Sequence, residues 1–155
     1  MSFQKAHNVS NELGQVIVTS GLIDTDTSAA AVQLEPSVAV AGINYRILEL
    51  GYTVIVAGTN SANTNFVTAG VEGSTDDFLR GGDMPANPAV GLTVSTADSS
   101  TDFEFRDAGA GKVDADGVPQ LESGYKLLFN RLAQISDGPK VVFYAKLAPN
   151  VQHKD

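Results

Sequence analysis

The chain is predicted to be all-β, and three features carry that prediction. Short runs of Val, Ile, Leu and Ala are separated by clusters of Gly, Asp, Ser, Thr and Asn. The runs are bounded by turn residues at roughly 8–12-residue spacing, the pattern of a sandwich or barrel. Several runs alternate apolar and polar residues, as a half-buried strand must. The expected architecture is a jelly-roll-like β-sandwich or barrel with one short helix near 124–136. An N-terminal arm (1–14) precedes a single β domain (15–148), and a tail (149–155) follows it.

The elements follow in order. Residues 1–14 are polar and aperiodic but carry Phe3, Val9 and Leu13. They read either as a frayed terminus or as an arm whose apolar residues dock on a neighbouring subunit. QVIVTSGLI (Gln15 to Ile23) is a strand, and Asp24 to Ser28 is a turn whose side chains bond their own backbone. Ala29 to Leu34 is a short strand or one helical turn, and Ser37 to Ala41 is extended. In YRILEL (Tyr45 to Leu50), Tyr45, Ile47 and Glu49 fall on one face and Arg46, Leu48 and Leu50 on the other. Gly51 separates that strand from the β-branched YTVIVA (Tyr52 to Ala57).

A polar loop, Gly58 to Asn65, leads to a strand over Phe66 to Val71. Glu72 to Pro88, with adjacent glycines and two prolines, reads as a long excursion of the functional or disordered kind. Its apolar group Phe78, Leu79 and Met84 is expected to pack on something. Ala89 to Thr96 and Thr101 to Arg106 are strands, the second with Phe103 and Phe105 inward. Asp107 to Pro119 is a glycine-rich acidic loop. Tyr125, Leu128, Phe129, Leu132 and Ile135 recur at helical spacing before Asp137-Gly138-Pro139, a helix stop. Tyr125, Leu127 and Phe129 also alternate, so a strand competes for the same residues. Val141 to Leu147 closes the fold.

Composition bounds the function. A chain of 155 residues forms one domain that buries roughly 68–70% of its unfolded surface. Aromatics make up 7% and Trp is absent, which suits close-packed sheets and subunit seams better than a deep ligand pocket. The absence of cysteine excludes disulfides, thiolate metal sites and thiol nucleophiles. The net charge is −8, and all of it lies between Glu72 and Glu122, where eleven carboxylates meet only Arg80, Arg106 and Lys112. Such a face repels phosphate backbones, so no nucleic-acid partner is expected. No run approaches a membrane span, and the first residues lack the apolar core of a secretory signal. Neither a membrane partner nor export by its own signal is expected.

No catalytic set is visible. The two histidines, His7 and His153, lie at the chain ends, and no G-x-S-x-G elbow presents a serine. The carboxylate pairs Asp76-Asp77, Asp98 with Asp102 and Asp114 with Asp116 lack the Trp or Tyr walls of a glycosidase cleft and read as solvated loop acids. KVDADG (Lys112 to Gly117) has part of a calcium loop's spacing, but Lys112 stands where an acidic ligand is required. An irregular calcium site at Asp114 and Asp116 therefore competes with a plain Asp-Gly turn. Lys126, Arg131, Lys140, Lys146 and Lys154 concentrate near the end. They are either a solvated, lysine-protected edge or a patch complementary to an acidic neighbour, including another copy. Neither an enzyme nor a cofactor is expected.

The polar arm Met1 to Leu13, the Ala/Val/Thr-rich strands Val16–Ile23 and Val38–Ala57, the Gly/Asp-rich loops and the closing segments Tyr125–Ile135 and Val141–Leu147 together resemble the decoration, or cement, proteins of tailed-bacteriophage heads. The resemblance spans most of the chain without a diagnostic motif. It implies a β-rich structural protein of the virion, often a homotrimer, on the outer surface of the capsid. There it would clamp neighbouring copies of the major capsid protein. The expected contacts are Phe3, Val9 and Leu13 of the arm and Phe78, Leu79 and Met84, with Asp76, Asp77, Asp114 and Asp116 facing solvent. The alternative is a carbohydrate- or receptor-binding sandwich, possible in a tail fibre and assisted by calcium, using the paired aspartates and Asn60, Asn63 and Asn65.

Overall fold

The computed structural model describes residues 15–34, 43–98, 103–105 and 119–149, with Arg80 described by its backbone alone. Among these residues ten strands form: β1 (Val16–Thr19), β2 (Ile23–Asp24), β3 (Ala31–Gln33), β4 (Tyr45–Val56), β5 (Asn63–Val71), β6 (Ser74–Met84), β7 (Thr93–Ser95), β8 (Gln120–Leu121), β9 (Leu127–Arg131) and β10 (Lys140–Pro149). Among the described residues there is no helix. All strand pairings are antiparallel, and the strands divide into two sheets. One has the order β1-β10-β4-β7, with β2 also on β10 and β8 also on β4; the other has the order β3-β9-β5-β6.

Alternation explains why these segments are strands and which face each buries. On β10, Val141, Phe143, Ala145 and Leu147 are buried, while Lys140, Val142, Tyr144 and Lys146 point outward. Between the sheets the rings of Tyr52, Phe66, Phe129 and Phe143 meet. Phe143 stacks on Phe129 at 4.8 Å and on Phe66 at 6.0 Å, and Tyr52 meets Phe143 edge-on at 5.9 Å. Phe103 joins by an edge contact with Tyr52 at 5.7 Å. Aromatic pairs in such geometries add about 0.5–1.5 kcal/mol each beyond the area they bury.

Several expectations need correction. The stretch 124–136 forms no helix and holds strand β9 at Leu127–Arg131. Gly124 turns the chain at a φ of 85°, and β9 then lies hydrogen-bonded between β3 and β5. Leu127, Phe129 and Arg131 point inward, whereas Tyr125 and Leu132 are exposed, so the helical stripe shares no face. Two neighbouring strands satisfy the β9 backbone, and the two-residue period wins. Gly51 does not divide Tyr45–Val56, which runs as one strand. Its facing changes because Glu49 pairs with Lys146 while Ile47 pairs with Leu147, leaving Leu48 as an extra residue. That bulge turns Glu49 outward and Leu50 inward, and alternation through Glu49 fails. Pro149 belongs to β10 and not to the tail.

The excursion expected over 72–88 is mostly strand β6, which pairs with β5 through three register shifts. The excess residues of β6 fold across the outer side of β5, where a Cβ at Gly70 would collide with the Ser74 carbonyl. Phe78, Leu79 and Met84 are consequently 1%, 0% and 0% exposed. They pack inside the domain and cannot serve as the outward contact expected of them. Gly82 lies against the Phe103 ring and has no room for a Cβ. Glycines that read as loop punctuation thus admit aromatic packing. Of the strand expected over Thr101 to Arg106, residues 103–105 are described and make only an isolated bridge, Phe105 to Leu79. The other expected strands form in shortened or lengthened versions, and β8 was not anticipated. The expected strand over Ser37 to Ala41, the arm, the loop 107–118 and the residues beyond Pro149 lie outside the described residues.

Truncating the central ring tests this packing. Phe143→Ala should destabilise the domain by about 3–5 kcal/mol. Urea unfolding followed by circular dichroism measures it, and a loss below about 1 kcal/mol would contradict the central position of Phe143.

Candidate functional site

Four connections meet at one end of the two sheets: 24–30, 57–62, 85–92 and 132–139. Their polar groups bond mainly to one another. Thr25, fully buried, donates from N (3.2 Å) and Oγ1 (2.6 Å) to the Pro139 carbonyl, and its own carbonyl accepts from Ile135 N at 2.9 Å. Thr59 N donates to the Asp137 carbonyl at 2.9 Å, Asn87 N to the Asn60 carbonyl at 3.1 Å, and Gly58 N to the Pro88 carbonyl at 3.2 Å. The Asp26 carboxylate accepts from Gln134 Nε2 at 3.0 Å and from Asp137 N at 3.2 Å. The turn expected over Asp24 to Ser28 forms with the expected self-bonding: Asp26 N donates to Asp24 Oδ1 at 3.0 Å, and Thr27 Oγ1 to the Asp24 carbonyl at 2.7 Å.

Arg131 holds this end together from below. It is an inward position of β9 and only 5% exposed. Its Nη1 donates to the carbonyls of Asp24, Thr25 and Thr27 at 3.3–3.5 Å, and its Nη2 to Thr27 Oγ1 at 2.9 Å and the Ser28 carbonyl at 2.7 Å. Burial lowers its affinity for the proton, and the nearby Asp24 charge opposes that shift. Arg131 is therefore a structural bracket, not a member of a basic surface patch. Its place in the alternation Leu127, Phe129, Arg131 was the one available signal for this role. Of the other late cations, Lys126 and Lys140 are exposed, Lys146 lies 3.6 Å from Glu49, and Lys154 is outside the described residues.

A second polar cluster lies on the outer face of the β1-β10-β4-β7 sheet. Tyr144, Gly51 and Ser95 occupy one row across three strands. The Tyr144 side chain lies along that row and donates to Glu49 Oε2. A Cβ on Gly51 would stand 2.8 Å from the Tyr144 hydroxyl and 2.7 Å from Ser95 Cβ, so the glycine makes room for the ring. This is an aromatic side chain covering a strand glycine. Burial, followed by the bond to Glu49, pushes the Tyr144 phenol up to about 12. Tyr52, whose hydroxyl donates to the Asp83 carbonyl at 2.7 Å, is also pushed up, first by burial and then by the Asp83 charge.

The sequence-predicted site residues are not brought together. Phe78, Leu79 and Met84 are core, and Phe3, Val9 and Leu13 lie outside the described residues, as do Asp114, Asp116, His7 and His153. Asp76 and Asp77 are half-buried and do not simply face solvent; Asp77 Oδ1 accepts from Ser74 Oγ at 2.7 Å. Asn60 is 3% exposed, and its Nδ2 donates to the carbonyls of Ser61 (2.8 Å) and Pro85 (3.1 Å). Its Oδ1 has no hydrogen-bond partner and lies beside Gly58, where a Cβ would stand 2.6 Å from it. Asn65 adopts a φ of 58°, and its N donates to Asp83 Oδ1 at 3.0 Å. Asn60 holds the loop end, and Asn65 bends β5. Among the described residues no three His, Cys, Asp or Glu side chains gather as metal ligands, and no helix is long and apolar enough to cross a membrane.

Comparison with protein-family models, with curated proteins and with solved structures finds no match to this chain.

Two outcomes are expected. Arg131→Met should lower stability by about 3–5 kcal/mol, because several loop acceptors lose their donor together. Loss of amide protection at Ile135 and Thr59 in hydrogen exchange would place the damage at this end. The native state also holds the Tyr144 and Tyr52 phenols neutral. Their stabilisation is complete below pH 10 and declines as pH rises through 10 toward 12. A thermal melt series should fall over that interval, less steeply in Tyr144→Phe; equal slopes would remove Tyr144 from the account.

Proposed function

We propose that the chain is a structural virion protein, a decoration or cement protein that binds the outer surface of a phage head and clamps neighbouring subunits of its major capsid protein. The observation that carries the reading is the strand order. β1-β10-β4-β7 facing β3-β9-β5-β6 supports a jelly roll, in which successive strands alternate between two four-stranded sheets through Greek-key connections. That architecture recurs in capsid proteins, lectins and cupins. The cupin reading is disfavoured because the two histidines stand at positions 7 and 153. Packing supports the capsid reading over a ligand module, since the loop end spends its polar groups on itself and the ring cluster occupies the space between the sheets. An acidic face that avoids packaged DNA is consistent with an outer position.

The apolar contacts of the arm, Phe3, Val9 and Leu13, remain part of this proposal; the former second contact at Phe78, Leu79 and Met84 does not. Self-association belongs to the same reading, with a threefold arrangement implied by the resemblance. The carbohydrate-binding alternative keeps one supporting feature, the gathering of four connections at a single end.

The test is sedimentation of the purified chain with expanded empty heads of the encoding phage. Saturable binding to the outer surface is expected, reduced at least about tenfold in affinity when residues 1–13 are removed, a loss of about 1.4 kcal/mol. No binding to such heads, combined with a calcium-dependent signal on a glycan array, would transfer the function to the alternative.

A further inference from the structure

The open edges of the two sheets are not equally protected. β6 carries Asp76, Asp77 and Asp83, is irregular through three register shifts, and is bridged at Leu79 by Phe105. β3 and β7 are 3 residues each, and β8 is 2. Charge, irregularity and shortness are the usual means of keeping an edge from pairing with another chain. β1 uses neither of the first two, while β2 carries Asp24 and follows β1 after one extra residue relative to β10. They form one edge along β10, and from Gln15 to Ile23 that edge has no charged residue and no proline. Its pairing with β10 is regular, Val16 to Thr19 against Leu147 to Tyr144. Ile17 and Leu22 along it are 60% and 55% exposed.

The backbone says what chemistry this edge accepts. Ser20 N donates to the Phe143 carbonyl at 2.8 Å, so Ser20 faces β10. By the alternation of an antiparallel ladder, Val18 and Val16 do likewise, and the N–H and C=O groups of Ile17 and Thr19 point away from it. Among the described residues these outward groups have no partner strand. A row of alternating donors and acceptors takes an extended segment of chain.

We propose that the occupant is β1 of a second copy, paired antiparallel about a twofold axis at Val18. In that register Ile17 exchanges both backbone bonds with Thr19 of the partner subunit, and Thr19 does the same with Ile17 of the partner subunit. Every outward-facing backbone group between them is then satisfied. Val18 sits beside Val18 of the partner subunit on the core side, and Ile17 meets Thr19 of the partner subunit on the outer side. No charge on either strand opposes the approach. The two β1-β10-β4-β7 sheets become one continuous sheet across the dimer, an isologous contact in which the same patch serves both copies. Short edge pairing buries little area, which places the dimer among weak associations, with Kd on the order of micromolar. This pairing rests on the edge and not on the capsid reading, and it replaces the threefold arrangement that the resemblance implies.

The experiment is sedimentation equilibrium of the full chain over a wide concentration range, with hydrogen exchange of the Ile17 and Thr19 amides. A monomer–dimer equilibrium is expected, with both amides protected only where dimer is populated. Ile17→Lys puts a charge beside the seam, and Thr19→Pro removes an outward donor without touching the β10 ladder. Each should raise Kd by about tenfold or more. Hydrogen exchange of the unaltered chain decides the matter should either variant misfold. A monomer at every concentration, a trimer, a dimer unaffected by both folded variants, or protection of the two amides in the monomer would each overturn the proposal.

Discussion

Phe143 is the contact on which both sheets depend. It belongs to the last strand, points between the layers and touches Phe129 and Phe66 of one sheet while meeting Tyr52 of its own. β10 also lies between β1 and β4, so the larger sheet has no continuous ladder until residues 140–149 are in place. Apart from the β5–β6 hairpin, the paired strands join segments far apart in the chain. Loop closure must precede the reward, and folding of such a topology is slow relative to helical domains of the same size. The buried rings make the ordering worthwhile: each removes a large apolar area from water, and their geometry permits one arrangement of the sheets.

The same constraint orders the periphery. Arg131 extends from the ring-bearing strand β9 to the 24–28 turn, so the loops at that end are tied to the position of Phe129 two residues away. Burying a guanidinium is costly, and the several acceptors around it offset the desolvation. The consequence is an end whose polar groups are largely committed to holding the loops. On the outer face of the other sheet, Tyr144 lying over Gly51 does comparable work, linking β10, β4 and β7. Function, if it is adhesion to other subunits, then falls to edges and surfaces. The contrast between the guarded β6 edge and the bare β1 edge is where the molecule differs most from a domain built to remain alone.

Much of the fold was legible from local pattern. Alternation identified the strands around Val16, Tyr52, Phe66 and Val141, and the Asp24 turn formed with its anticipated side-chain bonds. Misreadings came where one pattern had two meanings. Tyr125 to Ile135 satisfied both periods, and only the neighbours β3 and β5 selected the strand. Gly81-Gly82 among acids read as loop, though Gly82 is the space into which Phe103 packs. Leu48 shifted the facing of β4 by a single bulge that no local signal announces. The candidate site was less legible still: Phe78, Leu79 and Met84 were recognised as packing residues, but on the wrong side of the protein surface.

By itself the sequence determined the β class, the clustered negative charge and the exclusion of cysteine chemistry, because these follow from composition and from the two-residue period of a strand. Tertiary structure alone decided which strands are neighbours, that Arg131 is interior, that Gly51 receives Tyr144, and that β1 is left as an unguarded edge. Those outcomes depend on partners far away along the chain, more than a hundred residues in the case of Thr25 and Pro139, and no local pattern encodes such pairings. Where several arrangements satisfy the same local preferences, the packing of the rings chooses among them.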